Sequence, residues 1–374
     1  MRISVTRDLW SYLADTRKRV VMYGMGNGAD KILAICAQKG IEVCDFFASD
    51  GFVRGHSFHG KEVLSFSCVK EKYGAENLIV LLSFGSSRPE VLENIDRIAA
   101  ECELYVPDVP VFGEGLFDYD FYLSHKSELE AVYELLSDEH SRRLFESVIE
   151  YKLTGRLDLL RAYESDLTQE LCRLVRPHEC KLALDLGAYN GDSVRALLQA
   201  AENEALQVIA MEPDARNYKK LCAYAEGEGA GRVMPICAGA WSKRELLRFD
   251  ASGNRNASFG ENRSQILSDR PVKWKEIEAM PPDEAVGDRL VDYIKYDVEG
   301  AEREAIVGSR ATIEKCLPTL LVSLYHRNED LFDLPLLVHQ SHPDYRGFYL
   351  RRGAGVPAWD LNLYVRKNTV STED

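Results

Sequence analysis

No stretch of this sequence stays apolar for long. The longest such run, "LIVLLSF" at 78–84, has the length of a strand and falls far short of a bilayer span. The opening residues, "MRISVTRDLWSYLADTRKRV", lack the apolar core of a secretory signal, so a cytoplasmic location is expected. Basic charge is scarce: 46 Lys and Arg stand against 60 Asp and Glu, for a net charge of -14. An acidic chain without a basic stripe is poorly suited to neutralising phosphates, which argues against nucleic acid as a partner. The densest basic run, "DTRKRV", leads straight into an apolar segment and reads as a solvated helix end. The nine cysteines are scattered without a CxxC pair, as expected of reduced thiols buried as small hydrophobes. Repeats and low-complexity tracts are absent. Two His-x-x-His spacings, "HSFH" at 56–59 and "HQSH" at 339–342, have no cysteine nearby and lack the zinc pattern HExxH, so no metal is expected there.

What remains is an ordinary globular composition, 45% hydrophobic and 28% charged over 374 residues, enough for two α/β domains. Residues 1–115 alternate strand and helix signals: "RVVMYG", then the amphipathic "GADKILAICAQKG", then "IEVCDFFASD" and "NLIVLLSFG". Such alternation implies βαβ units and a parallel sheet. Residues 116–176 carry apolar positions three and four apart and read as a helical connector, with Asp138 as a helix cap. From 177 to 374 the alternation resumes, ending in "GFYLRR" and "LNLYVRK", an antiparallel finish to an otherwise parallel sheet.

Three motifs in the last block carry chemistry. In "ALDLGAYNGDSV" (183–194) a strand ends at Asp185, and Gly187 and Gly191 flank the turn into a helix. Open α/β sheets bind ligands at such turns. The spacing is not GxGxxG, and an acid before the first Gly repels phosphate; it suits a cationic or amine-bearing ligand. In "VIAMEPD" (208–214), Glu212 ends the next strand, where an acid accepts both hydroxyls of a ribose. An adenosine with a free ribose and a positively charged tail fits both, and S-adenosylmethionine is such a ligand. In "VDYIKYDVEGAE" (291–302), alternation puts Lys295 and Asp297 on one strand face, with Asp297 at the ligand end. Glu299 lies in the following loop. Glu302 falls in the first turn of the next helix, where the dipole favours an acid.

These three motifs, in this order, resemble the FkbM family of S-adenosylmethionine-dependent methyltransferases over roughly residues 180–366. The most specific is the last, of the form I-K-x-D-x-E-G-x-E. The resemblance implies a class I methyltransferase fold and O-methylation of a sugar or another hydroxylated metabolite. It matches Asp185, Gly187 and Gly191 to the cofactor turn and Glu212 to the ribose-binding acid, and the cofactor contacts expected around them are Ala188, Tyr189, Asn190, Asp192, Ser193, Pro213, Gly239 and Asp297. It marks Asp297 and Glu299 as the acidic signature of the active-site mouth, and Asp283 as a recurrent acid in the approach to that strand. His326, ending "PTLLVSLYH", is the candidate general base, since imidazole accepts a hydroxyl proton near neutrality. Lys295, Glu299, Asn256 and Ser258, the last two in the polar loop "GNRNASFGENRS", are candidate acceptor contacts.

Each assignment has a plainer competitor. Asp185 and Gly187 also suit a strand-to-helix turn without a ligand. Glu299 and Glu302 also suit simple charge stabilisation of a helix start, and His326 a hydrogen-bonded structural histidine. In the first block, Gly24, Gly26 and Ala29 fit G-x-G-x-x-[GA], and Asp50 ends the next strand, as in a small Rossmann domain binding a nucleotide or nucleotide-sugar. The same glycines suit a domain kept for packing. Two other functions follow from these features: an NAD-dependent nucleotide-sugar oxidoreductase or epimerase, and a non-catalytic binding protein with an inert methyltransferase domain.

Overall fold

The computed structural model describes residues 1–374 except 50–52, 54, 56, 114, 251–273 and 369–374. Two mixed sheets organise it. The first is built from β1 (Arg19–Tyr23), β2 (Val43–Ala48), β3 (Ser57–Phe58), β4 (Lys61–Ser65), β5 (Leu78–Leu82) and β6 (Glu103–Tyr105). Its order is β3-β4-β2-β1-β5-β6, parallel apart from the β3–β4 hairpin. β5 is "LIVLL" with every residue buried, the continuous apolar run expected of a strand covered on both faces.

The second block contains β7 (Leu182–Leu186), β8 (Gln207–Met211), β9 (Val233–Ile236), β10 (Gly239–Ala240), β11 (Glu245–Asp250), β12 (Trp274–Met280), β13 (Tyr293–Tyr296), β14 (Thr319–Ser323), β15 (Gly347–Arg352) and β16 (Leu361–Arg366). Seven of these form a sheet of order β15-β16-β14-β13-β7-β8-β9, and β10, β12 and β11 form a small side sheet. Pairing is parallel from β14 through β9, while β16 runs antiparallel to both β14 and β15. The order reverses at β7. In an open α/β sheet, the cleft outside the strand ends at that point is where a ligand binds.

Helices at 119–124, 126–135, 139–154, 157–161 and 167–174 join the sheets. Asp138 caps the longest of them by accepting from the Ser141 amide at 2.8 Å. The same carboxylate meets Arg351 of β15 at 2.6 Å, tying the connector to the second sheet. Along this helix Leu144, Phe145 and Ile149 enter the core of the second sheet, while Tyr151 enters that of the first. Among the described residues no helix is long and apolar enough to cross a membrane.

Candidate active site

A cavity of about 400 Å³ opens at the reversal point. Its floor is the turn after β7. Gly187 sits at φ +84°, and a Cβ there would lie 1.9 Å from the Asp297 carbonyl oxygen. Only glycine permits that approach between the ends of β7 and β13. The amides of Gly187 and Ala188 both donate to the Met211 carbonyl, at 3.0 and 2.9 Å, and fold the turn towards β8. Tyr189 follows at φ 49°, with its amide donating to Glu212 Oε2 at 2.9 Å. Glu212 Oε1 accepts from the Asp214 amide at 2.8 Å. Burial pushes the Glu212 carboxyl up to about 7, against the pull of those two amides.

The expected cofactor residues divide into two groups. Gly187, Tyr189, Asp192, Ser193, Glu212, Pro213, Gly239 and Asp297 line the cavity. Ala188, Asn190 and Gly191 do not; they shape the turn, Asn190 through its Oδ1, which accepts from the Asp192 amide at 3.2 Å. Asp185 also lies behind the wall. Its carboxylate accepts from Ser193 Oγ at 2.6 Å and pairs with Lys295 Nζ at 3.3 Å. Asp185 and Lys295 are register partners on adjacent parallel strands, which explains the pair. The acid read as facing the ligand instead fixes two residues that do.

Lys295 also reaches Asp297 Oδ2 at 3.2 Å. Burial alone would lower the ammonium's pKa, but the Asp185 and Asp297 carboxylates outweigh it and raise it. For Asp297, burial is outweighed by Lys295, His326 and the hydrogen bond from Tyr325 OH at 3.0 Å, which hold the acid down at about 2. Asp297 is therefore a fixed anion.

His326 departs from expectation. β14 ends at Ser323, and His326 follows in the loop, buried completely. Its Nδ1 lies 2.9 Å from Glu302 Oε1; its Nε2 lies 3.4 Å from Glu299 Oε2 and 3.7 Å from Asp297 Oδ1. These are charge contacts, since neither ring nitrogen has an aligned hydrogen-bond partner among the described residues. Burial would lower the imidazole's pKa, but Glu302, Glu299 and Asp297 together raise it to about 10. His326 thus holds its proton near neutrality, which removes it as the free base the sequence suggested. Glu302 does stand in the first turn of the helix Glu302–Gly308, and it also does more there: it is 1% exposed, accepts from the Val298 amide at 2.8 Å and faces His326.

Glu299 is left in an unusual state. It sits at φ 55°, keeps 33% of its side chain on the cavity, and is pushed up to about 8 by burial, with Asp297 and Glu302 adding to the shift and His326 opposing it. Three non-glycine residues of the cavity wall, Tyr189, Glu299 and Asp360, share the left-handed backbone region. Strain of this kind, of order 1–3 kcal/mol per residue, gathers at functional sites.

The sequence reading missed Met211, Asn217, Ala240, Val298, Leu321, Tyr325, Asp360 and Asn362 in the wall. Asp283 serves structure: it accepts from the Ala311 and Thr312 amides, at 2.9 and 2.8 Å, at the start of the helix 310–316. Asn256, Ser258 and Asp50 lie outside the described residues. In the first block, Gly24 lets Ser83 and Phe84 pack where a Cβ would stand, at 2.7 and 2.6 Å. Gly26 caps the following helix and faces open space. That helix carries Asp30 in its first turn, held by His59 at 2.8 Å, an arrangement unfavourable to a phosphate.

Residues 185–353 match the family model described as "Methyltransferase FkbM domain". The chain carries an FkbM methyltransferase domain. A methyltransferase FkbM from Methylobacillus flagellatus KT shares 19% identity and a TM-score of 0.67, covering 93% of this chain and 90% of that one, and shows the same fold through both sheets. Two further structures overlap in part. Cofactor-bound Rv0187 from MTB has 12% identity, a TM-score of 0.35 and coverage of 63% and 92%. A SAM-dependent methyltransferase from Aquifex aeolicus has 11% identity, a TM-score of 0.30 and coverage of 56% and 97%. No curated protein matches the chain. The protein is accordingly a methyltransferase with a class I domain, a smaller Rossmann-like domain before it and a helical connector.

The acids of the FkbM domain make two predictions. Asp297, Glu302 and His326 each bring a ligand atom within 4.8 Å of the others, a spacing compatible with a metal ion. The chain's own cations, Lys295 and His326, already lie against these carboxylates, so EDTA is expected to leave methyl transfer unchanged. The second prediction concerns stability. Folded Glu212, Glu299, Asp330 and His326 hold their protons to about 7, 8, 8 and 10, all above their unfolded values. The folded state therefore binds more protons than the unfolded chain between about pH 5 and 10, and stability falls as pH rises across that window. The ligand-free protein is expected to melt at a lower temperature at about pH 9 than at about pH 6, read by scanning calorimetry.

Proposed function

We propose that the FkbM domain binds S-adenosylmethionine in the 400 Å³ cavity and transfers its methyl group to a hydroxyl of a saccharide or similar acceptor. The observation that carries this reading is the acidic make-up of the wall: Asp192, Glu212, Asp297, Glu299 and Asp360 line it, with Lys295 the one cation among the described lining residues. Such a wall attracts an ammonium and a sulfonium and repels a pyrophosphate, which disfavours the NAD-dependent alternative. Glu212 is positioned to accept from the ribose hydroxyls. When bound, the cofactor supplies an electrophilic methyl group on a sulfonium.

The chain's part is to position the acceptor and take one proton. Glu299 is the base. It faces the cavity, and with its pKa near the working pH it can both ionise and receive the hydroxyl proton. His326, 3.4 Å away, offsets its charge once it ionises. Asp297, clamped by Lys295 and Tyr325, holds the mouth in shape.

Calorimetric titration with S-adenosylhomocysteine and with NAD tests the reading. Binding of S-adenosylhomocysteine is expected, and it should weaken as pH falls through about 7 and Glu212 takes up a proton. Glu212→Gln should weaken it by about tenfold, the loss of charge-assisted hydrogen bonds. Tight NAD binding with no S-adenosylhomocysteine binding would sink the proposal. Absence of methyl transfer from labelled cofactor to any glycan or lysate fraction would favour an inert domain.

A further inference from the structure

The segment after β6 leaves the first sheet and runs to the turn that carries Glu299. Its route is fixed at each step. The Val106 amide donates to the Gly155 carbonyl at 2.7 Å, and Asp108 pairs with the buried Lys152 at 2.8 Å. Lys31, on the helix Asn27–Gln38 that follows Gly26, donates to the carbonyls of Pro110 and Val111 at 2.8 and 2.9 Å. The Phe112 amide then donates to the His326 carbonyl at 2.9 Å. Two successive carbonyls that share one ammonium cannot swing away without losing a charge-assisted bond.

Phe112 ends this run against the groups assigned to proton removal. Its ring stands 5.9 Å from the His326 ring, and the Tyr325 ring is 4.1 Å from the same imidazole. Phe112 also lies on Gly300, where a Cβ would stand 3.3 Å from Phe112 Cδ2. Gly300 follows Glu299, and both have positive φ, 90° and 55°. No strand ladder holds such a turn. The Val298 amide donates to Glu302, the Ala301 amide to the Val298 carbonyl at 3.2 Å, and Arg327 Nε to the Gly300 carbonyl at 3.1 Å. Phe112 itself is 8% exposed and is not part of the methyl-transfer cavity wall. Neither ring nitrogen of His326 has an aligned partner among the described residues, so space opened beside it would take up water. Water there would screen the 3.4 Å contact between His326 and Glu299 and release the turn.

Resting on the methyl-transfer reading above, in which Glu299 is the base, we infer that Phe112 is a positioning residue of the site: it packs the Glu299–Gly300 turn in place and keeps water from His326, and Lys31 holds it there. The first domain then serves methyl transfer through Lys31 and the segment 108–112, and not through a nucleotide at its Gly24–Gly26 turn. The helix that a dinucleotide site would point at a phosphate is used here to clamp a strap.

The test uses the full chain saturated with S-adenosylhomocysteine. In protein labelled with ¹⁵N-histidine, a ring N–H signal of His326, identified by its loss in His326→Gln, is expected to persist against exchange with water. It should disappear in Phe112→Ala. Exchange of the Val298 and Ala301 amides should quicken about tenfold or more in that variant, while the Gly187 and Ala188 amides of the cofactor turn keep their rates and S-adenosylhomocysteine affinity stays within about twofold. Phe112→Leu should retain most of the protection. Lys31→Met, which leaves the ring in the chain, should quicken the same two amides by about threefold and carries the test if Phe112→Ala does not fold. Methyl transfer from labelled S-adenosylmethionine should fall about tenfold to a hundredfold in kcat in Phe112→Ala, with the cofactor's KM unchanged. Equal quickening of both turns, unchanged exchange at Val298 and Ala301, or an unchanged kcat would each overturn the inference. A parent protein that binds no S-adenosylhomocysteine, or transfers no methyl group, would instead sink the reading on which it rests.

Discussion

Replacing Glu299 by glutamine is expected to lower kcat by about 10²–10⁴-fold, the usual contribution of a positioned general base, while S-adenosylhomocysteine binds as before. Glutamine keeps the size and the cavity-facing amide oxygen but cannot take a proton. The pH profile gives an independent reading. Since burial pushes the Glu299 carboxyl up to about 8, it is largely protonated at pH 7 and useless as a base in that form. The parent's kcat should therefore climb with pH through about 8 and then level, and the climb should vanish in the glutamine variant. His326 supplies the control. It holds a positive charge 3.4 Å from Glu299, which favours the ionised carboxylate. Glu299 in His326→Gln should titrate at higher pH, so the same climb should move to the alkaline side. A variant of Glu299 with unchanged kcat and profile would remove it from catalysis.

Gly187→Ala should be nearly as damaging, through shape and not through charge. The left-handed backbone at φ +84° alone costs an alanine about 1–2 kcal/mol. The larger penalty is the contact of 1.9 Å between the new Cβ and the Asp297 carbonyl oxygen. Since this is backbone against backbone, it can be relieved only by parting the ends of β7 and β13. That parting would loosen Asp185 from Lys295 and displace Asp297. The expected outcome is a lower melting temperature with S-adenosylhomocysteine binding reduced by at least about tenfold. Gly231→Ala serves as comparison: it shares the positive φ but nothing lies within 4 Å of its Cβ, so it should cost stability and leave binding intact. Equal effects from both would mean that backbone strain alone, and not the closeness of the two strand ends, explains the loss.

The floor of the site was legible because it lies at strand ends, where the sequence alternates visibly and an acid or glycine stands out. Gly187, Glu212 and Asp297 are of that kind. Tyr325, Asp360 and Asn362 were not legible: they reach the cavity from the loop after β14, the turn before β16 and β16 itself, and only the antiparallel insertion of β16 beside β14 brings them there. The misreading of Asp185 has a similar origin. Its partner Lys295 is 110 residues away, and only the sheet order makes them neighbours. Glu302 was read from its helix alone. The left-handed turn at Glu299 and Gly300 carries that helix start back under the strand, where dipole stabilisation matters less than the buried imidazole. In the first block the glycine spacing was plain, yet Gly24, which would clear room for a nucleotide, clears room for Ser83 and Phe84.

The helix Glu139–Thr154 bears on how the protein turns over. With Phe145 in one core and Tyr151 in the other, it is packed into both. A wide hinge between the two sheets would have to pull one of these rings into water. Loading and release must then proceed by local breathing of the loops around the mouth, and the two halves work as a fixed jaw.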